Sequence, residues 1–545
     1  MRSQAWAKLT ASIYDIVVVG GGITGAGVAL EASLCGLKVL LVEKADFASG
    51  TSSKSGKLIH GGMRYLEHGH FKLVFDACAE RHNLATRIAP HIVKPTMFFV
   101  PNYKGYKTPR WAMMVGVYLY TALAIFRNIG SPRFFSNQEA RAAETSLSPG
   151  GLRGAMGFYD CKAHDARLVI DTLKKAHELG ADLLNYGTVT AIDLQGEVKC
   201  ITIQDGISPR ELTVKARSVI NATGAWADEI IQLAGEQEFF NLHKAKGIHL
   251  LLKKERLNVA NTIAWESPRD GRGLYLVPWH DTLLVGTTDN FCQKIDDAQE
   301  ATSAEVDYLL EGLNKLFPQA LLGREDVFFT YAGVRPLIGS NEGMKEDDLS
   351  RDFEVIVSPR GLVSIAGGKL TTYRLMAKSA VAKVARRLLG RRGFYNAPMV
   401  AISGGDFAPA QQETLIAAMA AAQRQDVGLT RRLFSRYGTN AQIILAKIAD
   451  DPQLLKPVGT SSYLYAEVDY IVENEFIESI SDVLLRRTAL ALCEEDNGIG
   501  VAAELARFIG QKCGWNEERI NGDVASYRLT VTRARQCLQR EKCPN

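Results

Sequence analysis

Between Arg81 and Gln138 the chain contains no aspartate or glutamate, while Arg81, Arg87, Lys94, Lys104, Lys107, Arg110, Arg127 and Arg133 supply eight positive charges. This segment stands out because the net charge over all 545 residues is only +4. So small an excess gives no footing for a nucleic-acid partner. Cysteine is sparse too. Nine scattered residues, odd in number and without a C-x-x-C pair, argue against a zinc site or a disulfide framework and read as reduced thiols. No metal is expected. The first dozen residues lack the apolar core of a secretory leader, so a cytoplasmic location is expected. The apolar run Trp111–Phe126 has sixteen residues, short of the roughly 20 that a bilayer-spanning helix needs. There is no internal repeat of solenoid period and no D-x-D-x-D-G calcium loop near the C-terminus.

The composition, 46% hydrophobic and 23% charged, supports large cores, and the length suggests two or three domains. The strongest signal is Tyr14-Asp-Ile-Val-Val-Val-Gly-Gly-Gly-Ile-Thr-Gly25, followed eighteen residues later by Glu43 at the end of Val39-Leu-Leu-Val-Glu43. A strand, a glycine turn, a helix and a second strand ending in an acid form a dinucleotide-binding βαβ unit. Gly20 permits the tight turn, Gly22 admits a pyrophosphate close to the backbone, and Gly25 lets the helix pack tightly. Glu43 is placed to accept from ribose hydroxyls. The helix N-terminus offers unpaired N–H groups and its positive dipole end to the diphosphate.

Glycine-punctuated strands and helices alternate to about Thr372. Val189–Asp193 and Cys200–Gln204 read as a hairpin, and Leu274–Pro278 and Leu283–Thr288 as antiparallel partners. The fold class expected is α/β: a Rossmann-like FAD-binding domain with a β-rich, substrate-capping insertion, then an all-helical C-terminal domain. The expected boundaries are 12–90 for the first FAD-binding segment and 91–150 for a basic, membrane-facing cap. Residues 151–400 hold the remaining interleaved FAD-binding and capping parts, and 401–545 the helical domain. The acid-free segment is also aromatic, with Phe98, Phe99, Tyr103, Tyr106, Trp111, Phe134 and Phe135. Basic charge with interfacial aromatics suits a helix lying in a membrane surface. A core helix beneath a basic loop is the alternative, but it does not explain the missing acids.

Seven separated stretches, in order, carry a resemblance: Gly20–Gly25 with Glu43, Ser52-Ser53, Ile59-His-Gly-Gly-Met-Arg-Tyr-Leu-Glu67, Asn221-Ala-Thr-Gly-Ala-Trp226, Gly333-Val-Arg-Pro336, Gly367-Gly-Lys-Leu-Thr-Thr-Tyr373 and, in the helical part, Tyr437-Gly438 through Asp482-Val-Leu-Leu-Arg-Arg-Thr488. Together they resemble the FAD-dependent glycerol-3-phosphate dehydrogenases over nearly the whole chain. The resemblance implies that Gly20, Gly22, Gly25, Glu43, Ser52, Ser53, His60, Gly61, Gly224, Gly367, Gly368, Lys369, Leu370 and Thr371 hold FAD. It also implies that Arg64, Tyr65, His249, Arg335, Arg351 and Lys369 reach glycerol 3-phosphate. Independently of the resemblance, three glycine turns spread along the chain favour a large bipartite cofactor over NAD alone, and a phosphate monoester calls for guanidinium groups.

The expected chemistry is oxidation of the secondary alcohol to dihydroxyacetone phosphate. A base near neutral pKa takes the hydroxyl proton. His249 is the first candidate and His60 the second, with Arg335 and Arg64 able to stabilise developing alkoxide. The basic aromatic segment suggests peripheral attachment to the inner face of the cell membrane and a quinone acceptor. The rivals are an oxidase using O2 and a flavoenzyme acting on an amino or 2-hydroxy acid. The helical domain could supply a homodimer interface.

Overall fold

The structure, a computed structural model, describes residues 6, 8–66, 69–106, 108–125, 127–237, 240, 242–339, 352–388 and 397–539. Among these residues the strands form one eight-stranded and one ten-stranded sheet. In the first, Ile13–Val19 lies parallel between Val39–Val42 and Glu211–Asn221, and Val363–Gly367 extends the parallel set beyond Glu211–Asn221. Val39–Val42 is buried at every position, as a parallel strand covered on both faces must be. The cover on one face is the helix Ile23–Leu34, itself wedged against Asp165–Glu178 and Tyr373–Leu388. The expected hairpin is present as Gly187–Asp193 on Lys199–Asp205.

The second sheet is built on two long antiparallel strands, Leu242–Lys253 and Val327–Ile338. Gly273–Trp279 and Thr282–Gly286 pair as expected and continue from Leu242–Lys253. Side chains alternate along Leu242–Lys253. Ile248, Leu250 and Leu252 pack under the amphipathic helix Ser303–Leu316, while Leu251 faces the helical part of the chain. His249 belongs to that second face, with its ring stacked on Tyr331 at 5.0 Å.

From residue 401 onward every described element is helical. Its core, including Leu433, Phe434, Tyr437 and Tyr465, closes over Leu251, Val277, Leu284 and Phe329 of the second sheet. Buried ion pairs tie it to the first sheet: Arg487 reaches Asp46 through Nη1 at 2.6 Å and Nη2 at 2.7 Å, and Arg167 reaches Glu475 at 2.5 Å. The stretch Ile480–Leu492, which has helical spacing, is not one helix. It breaks at Thr488, whose backbone is extended and whose Oγ1 donates to Val483 O at 2.7 Å.

The acid-free segment departs from expectation in two ways. Arg81 is not a surface charge, because it is buried against Asp160 and Tyr120, so acids from elsewhere neutralise part of the segment. The helix Arg110–Leu123 is neither wholly core nor wholly surface. Met113, Val117 and Tyr120 are buried, whereas Trp111 is 70% exposed and Val115 and Tyr118 are more than half exposed. No described helix is long and apolar enough to cross a membrane.

Candidate active site

A single cavity of about 1110 Å³ runs from the glycine turn of the first sheet to the strand ends of the second. That volume lies just above the usual range of small-molecule sites, about 300–1,000 Å³, as suits a two-part cofactor with its substrate. Its first end is backbone. Gly20 has φ +109°, and a Cβ there would stand 2.7 Å from Ala222 O, where the second glycine turn begins. Gly25 lies beneath the turn, where any Cβ would run into Gly20 O, so this glycine sets how closely helix and turn pack. Ser52 Oγ accepts from Ile23 N at 3.0 Å and fills one of the helix's unpaired N–H positions.

Glu43 also has partners within the chain. Its two carboxylate oxygens accept from Gly21 N at 2.7 Å and Ala45 N at 2.9 Å, holding the turn to the second strand. Burial pushes the carboxyl above its usual range, while those two N–H groups pull it down. Glu43 still lines the cavity beside Lys44, whose Nζ sits 4.6 Å from the Trp226 ring centre. Gly20, Gly22, Glu43, Ser52, His60, Gly224, Gly367, Gly368, Lys369, Leu370 and Thr371 all border the cavity, and their three turns converge on it. The residues present therefore fit FAD.

Three expected cofactor residues do not border the cavity: Gly25, which lies beneath the turn, Ser53 and Gly61. Ser53 sits in the Thr51–Ser53 turn and offers its carbonyl to Lys57 Nζ at 3.4 Å. Gly61 is turned away: its N–H donates to Tyr120 OH at 2.9 Å, and a Cβ would collide with Tyr120 and Cys78. Gly61 thus ties the His60 loop to the surface helix. His60 lines the cavity, and its N–H and carbonyl both meet Thr371 Oγ1 at 3.2 Å, joining segments more than 300 residues apart.

The second end is made of side chains. Arg335 is pinned by Asp289 Oδ1 at 2.8 Å and Thr287 Oγ1 at 2.8 Å. Lys369 Nζ lies over the Tyr65 ring, 3.4 Å from its centre, so these two expected substrate residues meet. The Nε2 edge of His249 faces Gly56 and Gly286, both cavity residues. Burial, then Arg335 and Lys57, hold its imidazole well below the usual 6.5. The expectation of a base near neutral pKa is corrected accordingly: the ring is neutral across the physiological range and only weakly basic. Behind this wall Lys57 pairs with Asp165 at 2.7 Å, both fully buried. Arg64 belongs to the short turn Met63–Leu66, but its side chain lies outside the described set, and Arg351 falls outside the described residues.

The sequence reading missed Asp289, Arg272 and Lys54, all of which line the cavity. Asp289 had a signal, since Gly286-Thr-Thr-Asp289 places hydroxyls and an acid just past a buried strand. Lys54 lay inside the glycine- and hydroxyl-rich stretch already in view. Arg272 carried no local mark.

Residues 15–374 match the family model described as FAD dependent oxidoreductase, and residues 397–520 match that of the C-terminal domain of alpha-glycerophosphate oxidase. The chain is 34% identical over 538 residues to glycerol-3-phosphate dehydrogenase 2 of Mycobacterium tuberculosis, covering 97% of this chain and 90% of the relative. It is 34% identical over 487 residues to the aerobic glycerol-3-phosphate dehydrogenase of Staphylococcus haemolyticus, covering 87% and 86%. Among solved structures it resembles the glycerol-3-phosphate dehydrogenase of Bacillus halodurans complexed with FAD, with a TM-score of 0.82, 28% identity and 99% of each chain covered. By sequence, by fold and by the convergence of its three glycine turns, the chain belongs to the FAD-dependent glycerol-3-phosphate dehydrogenase family.

Proposed function

We propose that the protein oxidises glycerol 3-phosphate to dihydroxyacetone phosphate and passes the electrons to a lipid-soluble quinone while peripherally bound to the inner face of the cell membrane. The observation that carries this reading is one continuous cavity joining a diphosphate-type glycine turn to Arg335 and His249. When bound, FAD supplies the acceptor for the two electrons. Arg335, preorganised by Asp289 and Thr287, holds the substrate phosphate with charge-assisted hydrogen bonds. Lys369 and Tyr65, joined by their cation–π contact, orient the glycerol end, and Arg64 and Arg351 take part on the strength of the family resemblance. His249, neutral in its buried setting, takes the hydroxyl proton on Nε2, and the neighbouring guanidinium lowers the barrier by favouring developing negative oxygen.

Support for the quinone comes from the cavity's outer wall. Ala112, Met113 and Gly116 line it from the inner face of the helix Arg110–Leu123, and the outer face of the same helix exposes Trp111, Val115 and Tyr118. A contiguous exposed apolar face of this kind marks an interaction surface, and exposed Arg110, Lys104 and Arg133 around it favour anionic lipid. Oxygen is the second reading, since the matched C-terminal model is that of an oxidase.

Under anaerobic conditions the flavin is expected to bleach with glycerol 3-phosphate and to stay oxidised with glycerol, amino acids or 2-hydroxy acids. Bleaching by an amino or 2-hydroxy acid and not by the phosphate ester would overturn the substrate. Oxygen uptake faster than ubiquinone reduction would overturn the acceptor.

A further inference from the structure

Lys54 closes the Thr51–Ser53 turn and lines the cavity, yet the chemistry above gives it no task. Its position is set by close packing on the strand that carries Arg335. A Cβ on Gly333 would stand 2.8 Å from Lys54 O and 3.2 Å from Lys54 Cβ, and Thr51 Oγ1 donates to Val334 O at 2.6 Å. Gly333 and Arg335 are two residues apart on one strand, so they share a face at a separation of about 7 Å. Lys54 thus packs its backbone on the strand that carries Arg335, and both residues line the cavity.

Their charges are treated differently. Arg335 is matched by Asp289, and Arg272 lies near Asp270 at 3.9 Å. Lys54 Nζ has a neutral partner, Gln299 Oε1 at 3.3 Å, and among the described residues no carboxylate pairs with it. Lys54 is half-buried, and an ammonium partly withdrawn from water without a counter-ion drifts toward its neutral form. Burial, helped by Arg486, pushes Lys54 down to about 8, so it still carries its charge at neutral pH. A cation held this way in the cavity wall is suited to an anion that arrives with a ligand.

We propose that the Lys54 ammonium binds a phosphate oxygen in this cavity, either of the phosphate-ester substrate beside Arg335 or of the cofactor's diphosphate. The substrate alternative rests on the reading of glycerol 3-phosphate given above. Both alternatives predict the same sign with pH. As pH rises through about 8 the lysine loses its proton, and the phosphate loses a charged partner.

The test uses the full chain and the variants Lys54→Met and Lys54→Arg. The readouts are KM and kcat for glycerol 3-phosphate with an artificial dye, and the FAD dissociation constant of the apoprotein from flavin fluorescence. In Lys54→Met one of the two affinities should weaken about tenfold, the value of one charge-assisted contact. Lys54→Arg should restore it, and kcat should stay within about threefold. A raised KM with normal FAD binding assigns the substrate phosphate, and the reverse assigns the diphosphate. In the wild type the same affinity should fall above pH 8, and this fall should vanish in Lys54→Arg. Unchanged KM and FAD binding in Lys54→Met would overturn the proposal. So would failure of arginine to restore what methionine lost, since that marks a packing role. If the wild type fails to bleach with glycerol 3-phosphate, the substrate reading falls by itself, and FAD affinity still decides the role of Lys54.

Discussion

The two ends of the cavity are built on different principles. At the first sheet the wall is main chain: the turn at Gly20–Gly22, the bend at Ala222–Gly224 and the turn Gly367–Thr371 present backbone, and Glu43 and Ser52 accept from chain N–H groups. At the second sheet the wall is side chain, with Arg335, His249, Lys54 and Lys369 reaching in from segments far apart in sequence. A backbone wall tolerates almost no added atoms, because nothing in it can swing aside. A side-chain wall tolerates shape changes but depends on charge. The outer wall, the helix Arg110–Leu123, differs from both in carrying apolar side chains on the cavity face and the outer face together.

Substitutions at each wall sharpen or break this contrast. The largest effect is expected for Gly25→Val, whose side chain has no space against Gly20 O. Moving helix and turn apart should cost on the order of 4–5 kcal/mol and leave the purified protein without flavin absorbance. A yellow, active Gly25→Val protein would mean the first end is not rigid main chain. Next comes Arg335→Ala, expected to lower kcat/KM for glycerol 3-phosphate by about 2–4 kcal/mol while FAD stays bound. Part of that loss comes from removing the ion pair that Arg335 makes with Asp289. Normal kinetics would remove Arg335 from the phosphate grip. The smallest effect on the protein itself is expected for the joint replacement of Trp111, Tyr118 and Leu119 by serine. All three are exposed, so thermal stability should move by about 0.5 kcal/mol or less and dye reduction should hold. Sedimentation with anionic liposomes and ubiquinone reduction should both drop. Unchanged liposome binding would leave the outer face without a membrane role.

What was legible in the sequence follows the same division. The Gly20–Gly25 turn, Glu43 and the flanking strands are local features, since each is dictated by what φ, packing distance or strand burial permits within a few residues. The helical character after residue 401 was readable for the same reason. Less was readable where partners are distant. The family resemblance put Gly61 among the cofactor residues, yet its N–H donates to Tyr120, 59 residues away. His249 looked like a base tuned near neutrality, because nothing in Lys246-Gly-Ile-His249 announces its burial beside Arg335 and Tyr331. The run between Arg81 and Gln138 has no acid of its own, and only the fold brings Asp160 to Arg81.

The sequence by itself determined the dinucleotide turn, the order of α/β and helical parts and the family, because period, glycine placement and strand hydrophobicity act over short stretches of chain. Only the tertiary structure decided which cations are neutralised, which glycines face the cavity and which face of the Arg110–Leu123 helix remains in solvent. Those outcomes depend on Coulomb partners and packing surfaces brought together from positions tens to hundreds of residues apart, and no local pattern records them.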